Sequence, residues 1–384
     1  MKRLSLFLFF VSLTSIAFSF NLSVHIYSNE KVTTATIAPI AGGYTIEADG
    51  RLIDSCNTTN IYQLISDGDS VILKTVDHIV GKYLRLRFHG YTKRNQLYIK
   101  PSSNKTTHHF DDDIVISSDE DGLKLINMVD LEHYVSGVIY SEAGLRKPGE
   151  YYKVQAIICR TYVLNNLARH INDGFEVCDN VHCQVYQGAT ANPDILKAVD
   201  ATRGIVLVDD NNQLINAAFH ANCGGYTLNS EDVWSSALYY LRAKQDTFCI
   251  HQPAALWEKK ITKEAWNNYL TKKEKGMKKD NLHPLSYWDS IPTEKRVFLY
   301  DNGYTIPLKD IRTDWSLHST LFTIEEDKEF IILHGRGYGH RVGLCQEGAI
   351  HMSQLGYTAQ QILHFYYYDV QLVDYSILPF SGFN

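Results

Sequence analysis

Glu142 is the residue whose type and setting best suit chemistry. It stands in YVSGVIYSEAGLRKPGEYYKVQAIICR, residues 134–160, after an apolar, β-branched run (Val135, Val138, Ile139) and before a break at Ala143-Gly144. Pro148 and Glu150 open the next segment, where Val154, Ile157, Ile158, Thr161, Leu164 and Ala168 recur at helical spacing. The expectation is a carboxyl in a turn between an apolar segment and a buried helix. Partial desolvation there raises its pKa and keeps a proton available for general-acid work. The plainer alternative is a loop cap or an arginine partner, with Arg160 the nearest candidate on the helix.

Two further groups carry ligand or nucleophile types. His170, Cys178, His182 and Cys183 place two imidazoles and two thiols in one short loop, a donor set that zinc favours. The spacing is not that of a standard finger, and a Cys178–Cys183 disulfide competes on equal terms in an exported chain. His220 and Cys223, in HANCGGYT, allow a thiol with its base, although a buried small thiol is the commoner role. Paired glycines there let backbone approach a ligand or another strand closely. GYGHRVG at 337–343 resembles a phosphate loop only superficially: no Lys-Ser/Thr follows, and nucleotide binding is rejected. His108-His109 as a metal site lacks a third ligand nearby, and the polar stretch 102–113 reads as a loop or linker.

The elements that must position these groups read as α+β. From Asn21 to Pro101 the sequence alternates, with Gly42-Gly43, Asp49-Gly50 and Asp67-Gly68 as turns, which predicts a β-rich region over 21–115. Strand character returns at 114–139. Helices are expected from Pro148, over Asp194–Thr202, over Ala349–Leu355 and around Thr358–Tyr366, with strands at 204–208, 214–221, 296–300 and 319–333. A mixed sheet-and-helix domain would then occupy 116–384. A lysine-rich helical insertion at about 255–295 carries Trp257, Ile261, Trp266 and Leu270 as its apolar stripe. It is expected to be a solvated helix over the domain, with anionic glycan or lipid binding as the alternative.

Composition sets the outer bounds. The 384 residues are 45% hydrophobic and 21% charged with a formal charge of -6, so no basic field invites nucleic acid. The 25 tyrosines suit sugar grooves and cores equally. Residues 1–20 have two cations, an apolar run and small residues at Ala17 and Ser19, the layout of a signal peptide, and predict an exported protein of the periplasm, cell envelope or exterior. No cysteine follows that run immediately, which speaks against a lipid anchor; an uncleaved membrane anchor is the alternative. Seven cysteines, an odd number, leave at least one free, buried, metal-bound or paired between molecules.

The motifs YVSGVIYSEAG, QAIICRTYVL, GFEVCDNVHCQVYQG, AVDATRGIVL, HANCGGYTLNSEDVW with YLRA, and GRGYGHRVGLCQEGA occur in that order over about Leu123–Tyr368. In combination they resemble the sporulation protein D and amidase-enhancer LytB family of bacterial cell-wall proteins. The resemblance implies binding to peptidoglycan glycan strands and, in the sporulation branch, lytic transglycosylase activity with the glutamate matching Glu142 as acid and base. It implies zinc at the block matching His170, Cys178, His182 and Cys183, in preference to the disulfide. Arg160, Gln184, Tyr186, His220 and Gln346 are the expected sugar-positioning residues. The amidase-enhancer branch implies the alternative, a glycan-binding module acting with a cell-wall amidase. The chain departs from the family at Cys223 and Cys345, often serine, at Glu347, often tryptophan, and at Glu142-Ala143-Gly144 in place of Glu-Met-Pro.

Overall fold

The computed structural model describes residues 20–103, 107–252, 255–274, 291–301 and 303–378. The expected signal peptide, apart from Phe20, and the segment 275–290 of the lysine-rich stretch lie outside the described residues.

Alternation in the first third produces two antiparallel sheets. The strands are β1 (Asn21–Ile26), β2 (Thr34–Ala41), β3 (Tyr44–Ala48), β4 (Arg51–Cys56), β5 (Tyr62–Asp67) and β6 (Ser70–Lys74). They continue as β7 (Ile79–Tyr83), β8 (Arg85–Gly90), β9 (Gln96–Pro101), β10 (His108–Asp111), β11 (Asp113–Asp119) and β12 (Gly122–Asp130). One sheet runs β1-β12-β11-β8-β3-β4 and gains the short parallel strand β13 (Val177–Cys178) beside β1; the other runs β10-β9-β2-β5-β6-β7. Inward positions on both faces are buried, as the period of two requires. The sheets meet through Tyr62 against Phe88, ring centroids 5.8 Å apart, and through the Ser66 and Ser118 hydroxyls at 2.8 Å.

Two sequence expectations fail in this region. His108–Asp113 is not a linker: His108–Asp111 forms β10 and Asp113 begins β11, which pairs with β8 and β12. The polar side chains that suggested a loop line one side of strands whose other side carries buried Phe110 and Ile114. The run Leu131–Ala143 is helix α1, not strand. Leu131, Tyr134, Val135, Val138 and Ile139 are all buried, and their spacing is helical despite the β-branched types. Asp130 caps the helix by accepting Glu132 N–H at 2.9 Å.

The helical layer is α1, α2 (Gly149–Asn165) and α3 (Pro193–Ala201), followed by β14 (Ile205–Val208), β15 (Phe219–His220) and α4 (Ser230–Val233). Near the end come β21 (Leu344–Cys345), α7 (Gln346–Gln354), α8 (Ala359–Tyr366) and β22 (Gln371–Asp374). One hydrophobic core runs from Leu22 to Tyr375, so the amino-terminal strands and this layer share an interior. The 115/116 division proposed from sequence falls inside β11.

A satellite unit interrupts the layer and has its own core. It consists of β16 (Leu256–Thr262), α5 (Lys263–Glu274), β17 (Phe298–Asp301), β18 (Tyr304–Pro307), α6 (Leu308–Asp314), β19 (Leu321–Glu326) and β20 (Phe330–Arg336). Ile261, Trp266, Leu270, Ile311, Phe322 and Leu333 are packed together there. The lysine-rich stretch is therefore not one solvated helix. Trp257 and Ile261 lie on β16, Trp266 and Leu270 lie on α5, and all four serve this second core. Among the described residues no helix is long and apolar enough to cross a membrane.

Candidate active site

Glu142 occupies the last turn of α1, one turn earlier than the connecting loop where sequence reasoning placed it. Gly144, with φ 69°, then ends the helix, and Pro148 precedes α2. The hairpin is closed by Tyr152, whose hydroxyl donates to Gly144 O at 3.0 Å and accepts Lys147 N–H at 3.2 Å.

Opposite Glu142 the segment 183–188 lies along the helix end and is bound at alternate residues. Val185 N–H donates to Glu142 Oε1 at 3.0 Å, and Gln187 N–H donates to Ser141 Oγ at 3.0 Å. The approach requires Gly137: a Cβ there would stand 2.3 Å from Gly188 O and 2.5 Å from the Tyr186 ring. Burial raises the Glu142 pKa, and the Val185 N–H partly opposes that rise.

Glu142 opens on a cavity of about 720 Å³. One wall is the polar side of α2 and its continuation, Tyr162, Asn165, Asn166 and Arg169; another is His182, Cys183 and Gln184; the third is Asn216–Phe219 with Trp234 and His340. Arg169 is tied to Tyr162 Oη at 2.7 Å, His182 O at 2.6 Å and Asn166 Oδ1 at 2.9 Å. His340 accepts Val342 N–H on Nδ1 at 3.1 Å and donates from Nε2 to Phe219 O at 2.9 Å. With both nitrogens engaged and burial lowering its pKa to about 4, it presents a neutral ring beside Trp234, centroids 5.2 Å apart. A larger cavity, about 930 Å³, lies between Gly224-Gly225 and the satellite unit. Glu142, a largely buried carboxyl whose pKa is raised by that burial at the edge of the first cavity, makes the first cavity the candidate chemical site.

The four expected metal ligands converge beside this cavity. One donor atom from each of His170, Cys178, His182 and Cys183 lies within 4.8 Å of the others. Cys183 Sγ is 3.5 Å from His170 Nε2, and His182 Nδ1 is 3.8 Å from both sulfurs. His170 Nδ1 faces Asp173 Oδ2 at 2.9 Å, the carboxylate–imidazole arrangement that orients a metal-bound histidine. Cys178 and Cys183 are unbridged. This donor set fits a tetrahedral zinc-class ion. The amino-terminal sheet holds the loop in place: Val177 and Cys178 pair with Val24 and His25, and the Asp179 carboxylate accepts Ser28 Oγ–H at 2.6 Å.

The remaining expected positions divide. Gln184 lines the cavity and is buried, with Nε2 lacking a partner among the described residues. Arg160 does not reach the cavity: it is fully buried and paired with Glu132 through Nε at 2.9 Å and Nη2 at 2.5 Å, while Nη1 donates to Ile205 O at 2.8 Å. Tyr186 is buried too, its hydroxyl donating to Asn127 Oδ1 at 2.9 Å. His220 stands behind His340, ring centroids 5.3 Å apart, with Nδ1 facing Val342 O at 3.1 Å. Gln346 begins α7, outside the cavity lining. The two glycine-rich turns approach each other rather than a phosphate. Asn222 and Tyr338 exchange backbone hydrogen bonds of 3.0 and 2.8 Å, and a Cβ on Gly337 would meet Asn222 O at 2.8 Å.

Sequence reasoning missed Tyr162, Asn165, Asn166, Arg169, Trp234 and His340 as lining. The first four carried a legible signal. Their spacing of three, four and seven matches the apolar stripe of α2 displaced by one residue.

Comparison with known proteins identifies relatives of this chain. The family model described as Stage II sporulation protein matches residues 119–208, the segment that carries Glu142 and the four expected ligands. Stage II sporulation protein D of Bacillus subtilis is 31% identical over 264 residues, covering 64% of this chain and 75% of the relative. An uncharacterised protein of Brachyspira hyodysenteriae is 27% identical over 360 residues, 92% of this chain and 96% of the relative. The amidase enhancer of Bacillus subtilis is 27% identical over 291 residues, and the match spans only 40% of its length. With its helical hairpin, its histidine–cysteine loop and these relatives, the chain belongs to the family of stage II sporulation protein D and the amidase enhancer.

Proposed function

We propose that the protein is an exported peptidoglycan lytic transglycosylase in which Glu142 is both acid and base. The observation that carries this reading is a single desolvated carboxyl at the edge of a cavity walled by asparagine, arginine and aromatic side chains. Protonated Glu142 gives its proton to the glycosidic oxygen, and the bond to the muramyl anomeric carbon breaks. The resulting carboxylate accepts the proton of the muramyl 6-hydroxyl as that oxygen attacks the anomeric carbon, closing a 1,6-anhydro ring. Proton and electron pair balance within the sugar and one carboxyl, so no activated water and no second carboxylate is required.

The Val185 N–H steadies the carboxylate that forms in the first half of the reaction. Asn165, Asn166 and Gln184 offer amides to sugar hydroxyl and N-acetyl groups, and Trp234 with the neutral His340 ring offers an apolar face for a pyranose. His170, Cys178, His182 and Cys183 would hold a zinc ion, whose contribution is to fix the loop that delivers Val185 and Gln184. Incubation of the purified protein with glycan strands, followed by mass spectrometry, tests the reading: anhydromuramyl ends support it, and intact strands refute it.

The relative named as an amidase enhancer favours a second reading, in which the same cavity holds glycan without cleaving it and a cell-wall amidase acts on the complex. An effect that appears only when an amidase is added would select that reading.

A further inference from the structure

We propose that Cys223, Cys249, Cys345 and Asp246 form a second metal site, structural in role, that takes a zinc-class divalent cation. Their ligand atoms, three sulfurs and a carboxylate oxygen, all lie within 4.8 Å of one another. Cys223 Sγ is 3.4 Å from Cys249 Sγ and 3.3 Å from Asp246 Oδ2. A tetrahedral zinc with Zn–S bonds of about 2.3 Å places its sulfurs roughly 3.8 Å apart, so the Cys223–Cys249 pair needs to open by only a few tenths of an ångström to fit such a shell.

The chemistry of burial points the same way. All four residues are fully buried, yet the Asp246 carboxylate is held by neutral donors, Phe248 N–H at 2.9 Å and the Tyr366 hydroxyl at 2.9 Å. A carboxylate packed against three thiols far from water is costly unless a cation joins them. A Cys223–Cys249 disulfide would use two sulfurs and leave the buried Asp246 carboxylate with neutral donors only and no cation to balance it. The surroundings already resemble an outer shell: Cys345 Sγ accepts N–H groups from Cys223 at 3.3 Å and Gly348 at 3.4 Å, and Tyr366 orients the carboxylate. A Cβ on Gly348 would stand 2.6 Å from Asp246 Oδ2, so the α7 turn has no room for any larger residue.

The ligands come from three separate segments, the turn after β15, the 246–249 turn and the join of β21 to α7. A cation there would staple the wall that carries Phe219 and His340, while the first cluster fastens the opposite wall. The test is a metal count on the full mature chain, prepared with zinc supplementation and desalted, read by elemental mass spectrometry. The expected result is two zinc ions per chain, one remaining in the His170→Ala/Cys183→Ser double variant and one remaining in Cys249→Ser. Cobalt added to the apo double variant should give sulfur-to-metal charge-transfer absorption. A single ion in the wild type that disappears in the double variant overturns the proposal, as does a Cys223–Cys249 bridge in an unreduced peptide map. Should Cys249→Ser not fold, the wild-type and double-variant counts decide alone.

Discussion

Val185 N–H donates to Glu142 Oε1 at 3.0 Å, so the backbone of the histidine–cysteine loop and the end of α1 share one hydrogen bond at the proposed site of chemistry. The bond stabilises the ionised carboxyl, against the desolvation that raises its pKa. Activity that needs the protonated acid should fall on the alkaline side with a midpoint above the ordinary carboxylate range. Val185→Pro removes the donor and should move that limb of kcat/KM to higher pH. A pH–rate profile measured on variant protein with unchanged zinc content checks this, and an unmoved limb counts against the assigned role.

Glu142→Gln keeps an acceptor for Val185 and loses the proton. Glycan cleavage should drop about 10²–10⁴-fold, while affinity for strands stays within a few-fold. Stability should change in the opposite sense. Burial raises the folded-state pKa above the unfolded one, so the fold pays for the ionised form at neutral pH and is relieved below the unfolded value. The variant should therefore unfold at a higher temperature than wild type at pH 7. That advantage should shrink as pH falls through the interval between the folded and unfolded pKa values. Calorimetry at several pH values reads both the sign and the window.

The parts of this molecule that sequence made legible are those where one local rule decides. Alternation marked most of the amino-terminal strands, and the Gly144 break with Pro148 marked the start of α2. Leu131–Ile139 was misread because side-chain type outweighed spacing, although buried positions at 131, 134, 135, 138 and 139 favour a helix. The histidine–cysteine loop was legible because its donors are close in sequence. Cys223, Asp246 and Cys345 meet only through tertiary structure, so their spacing carried no signal. Arg160 was read from proximity to Glu142 in the chain, whereas a helix directs its guanidinium away from the cavity, into the interior.

Arg160 and Glu132 form a buried ion pair joining α1, α2 and β14, since Glu132 Oε1 also accepts Gly204 N–H at 3.2 Å. Removing one partner leaves an uncompensated buried charge, and Arg160→Met should cost about 3–5 kcal/mol. Any variant protein that folds should bind glycan as wild type does. Denaturant titration beside strand binding separates the two effects, and a specific loss of affinity at full stability would return Arg160 to the cavity.

Asp173 orients His170 without touching the expected metal position. Asp173→Asn should weaken zinc affinity at the first cluster about 10–100-fold and make the loop easier to cut by protease between residues 170 and 187. Competition with a chromophoric chelator, followed by limited proteolysis, measures both. Equal affinity in variant and wild type would leave Asp173 as a simple surface partner.

Arg169 is the exposed cation on the cavity wall, and its bonds to Tyr162, Asn166 and His182 O hold three lining groups together. A neutral glycan gains little from the charge itself, but it does gain from the ordered hydroxyl and amide that the guanidinium holds. Arg169→Lys keeps the charge and loses the planar fork, so it should behave nearly like Arg169→Ala. Both should raise KM about tenfold, roughly 1.4 kcal/mol, with kcat less affected, because the residue organises binding and not proton transfer. Trp234→Ala should act on the same step by removing the apolar face beside His340. If Lys restores full affinity where Ala does not, attraction to anionic stem peptides replaces positioning as the explanation, and strands stripped of those peptides would then bind both variants equally.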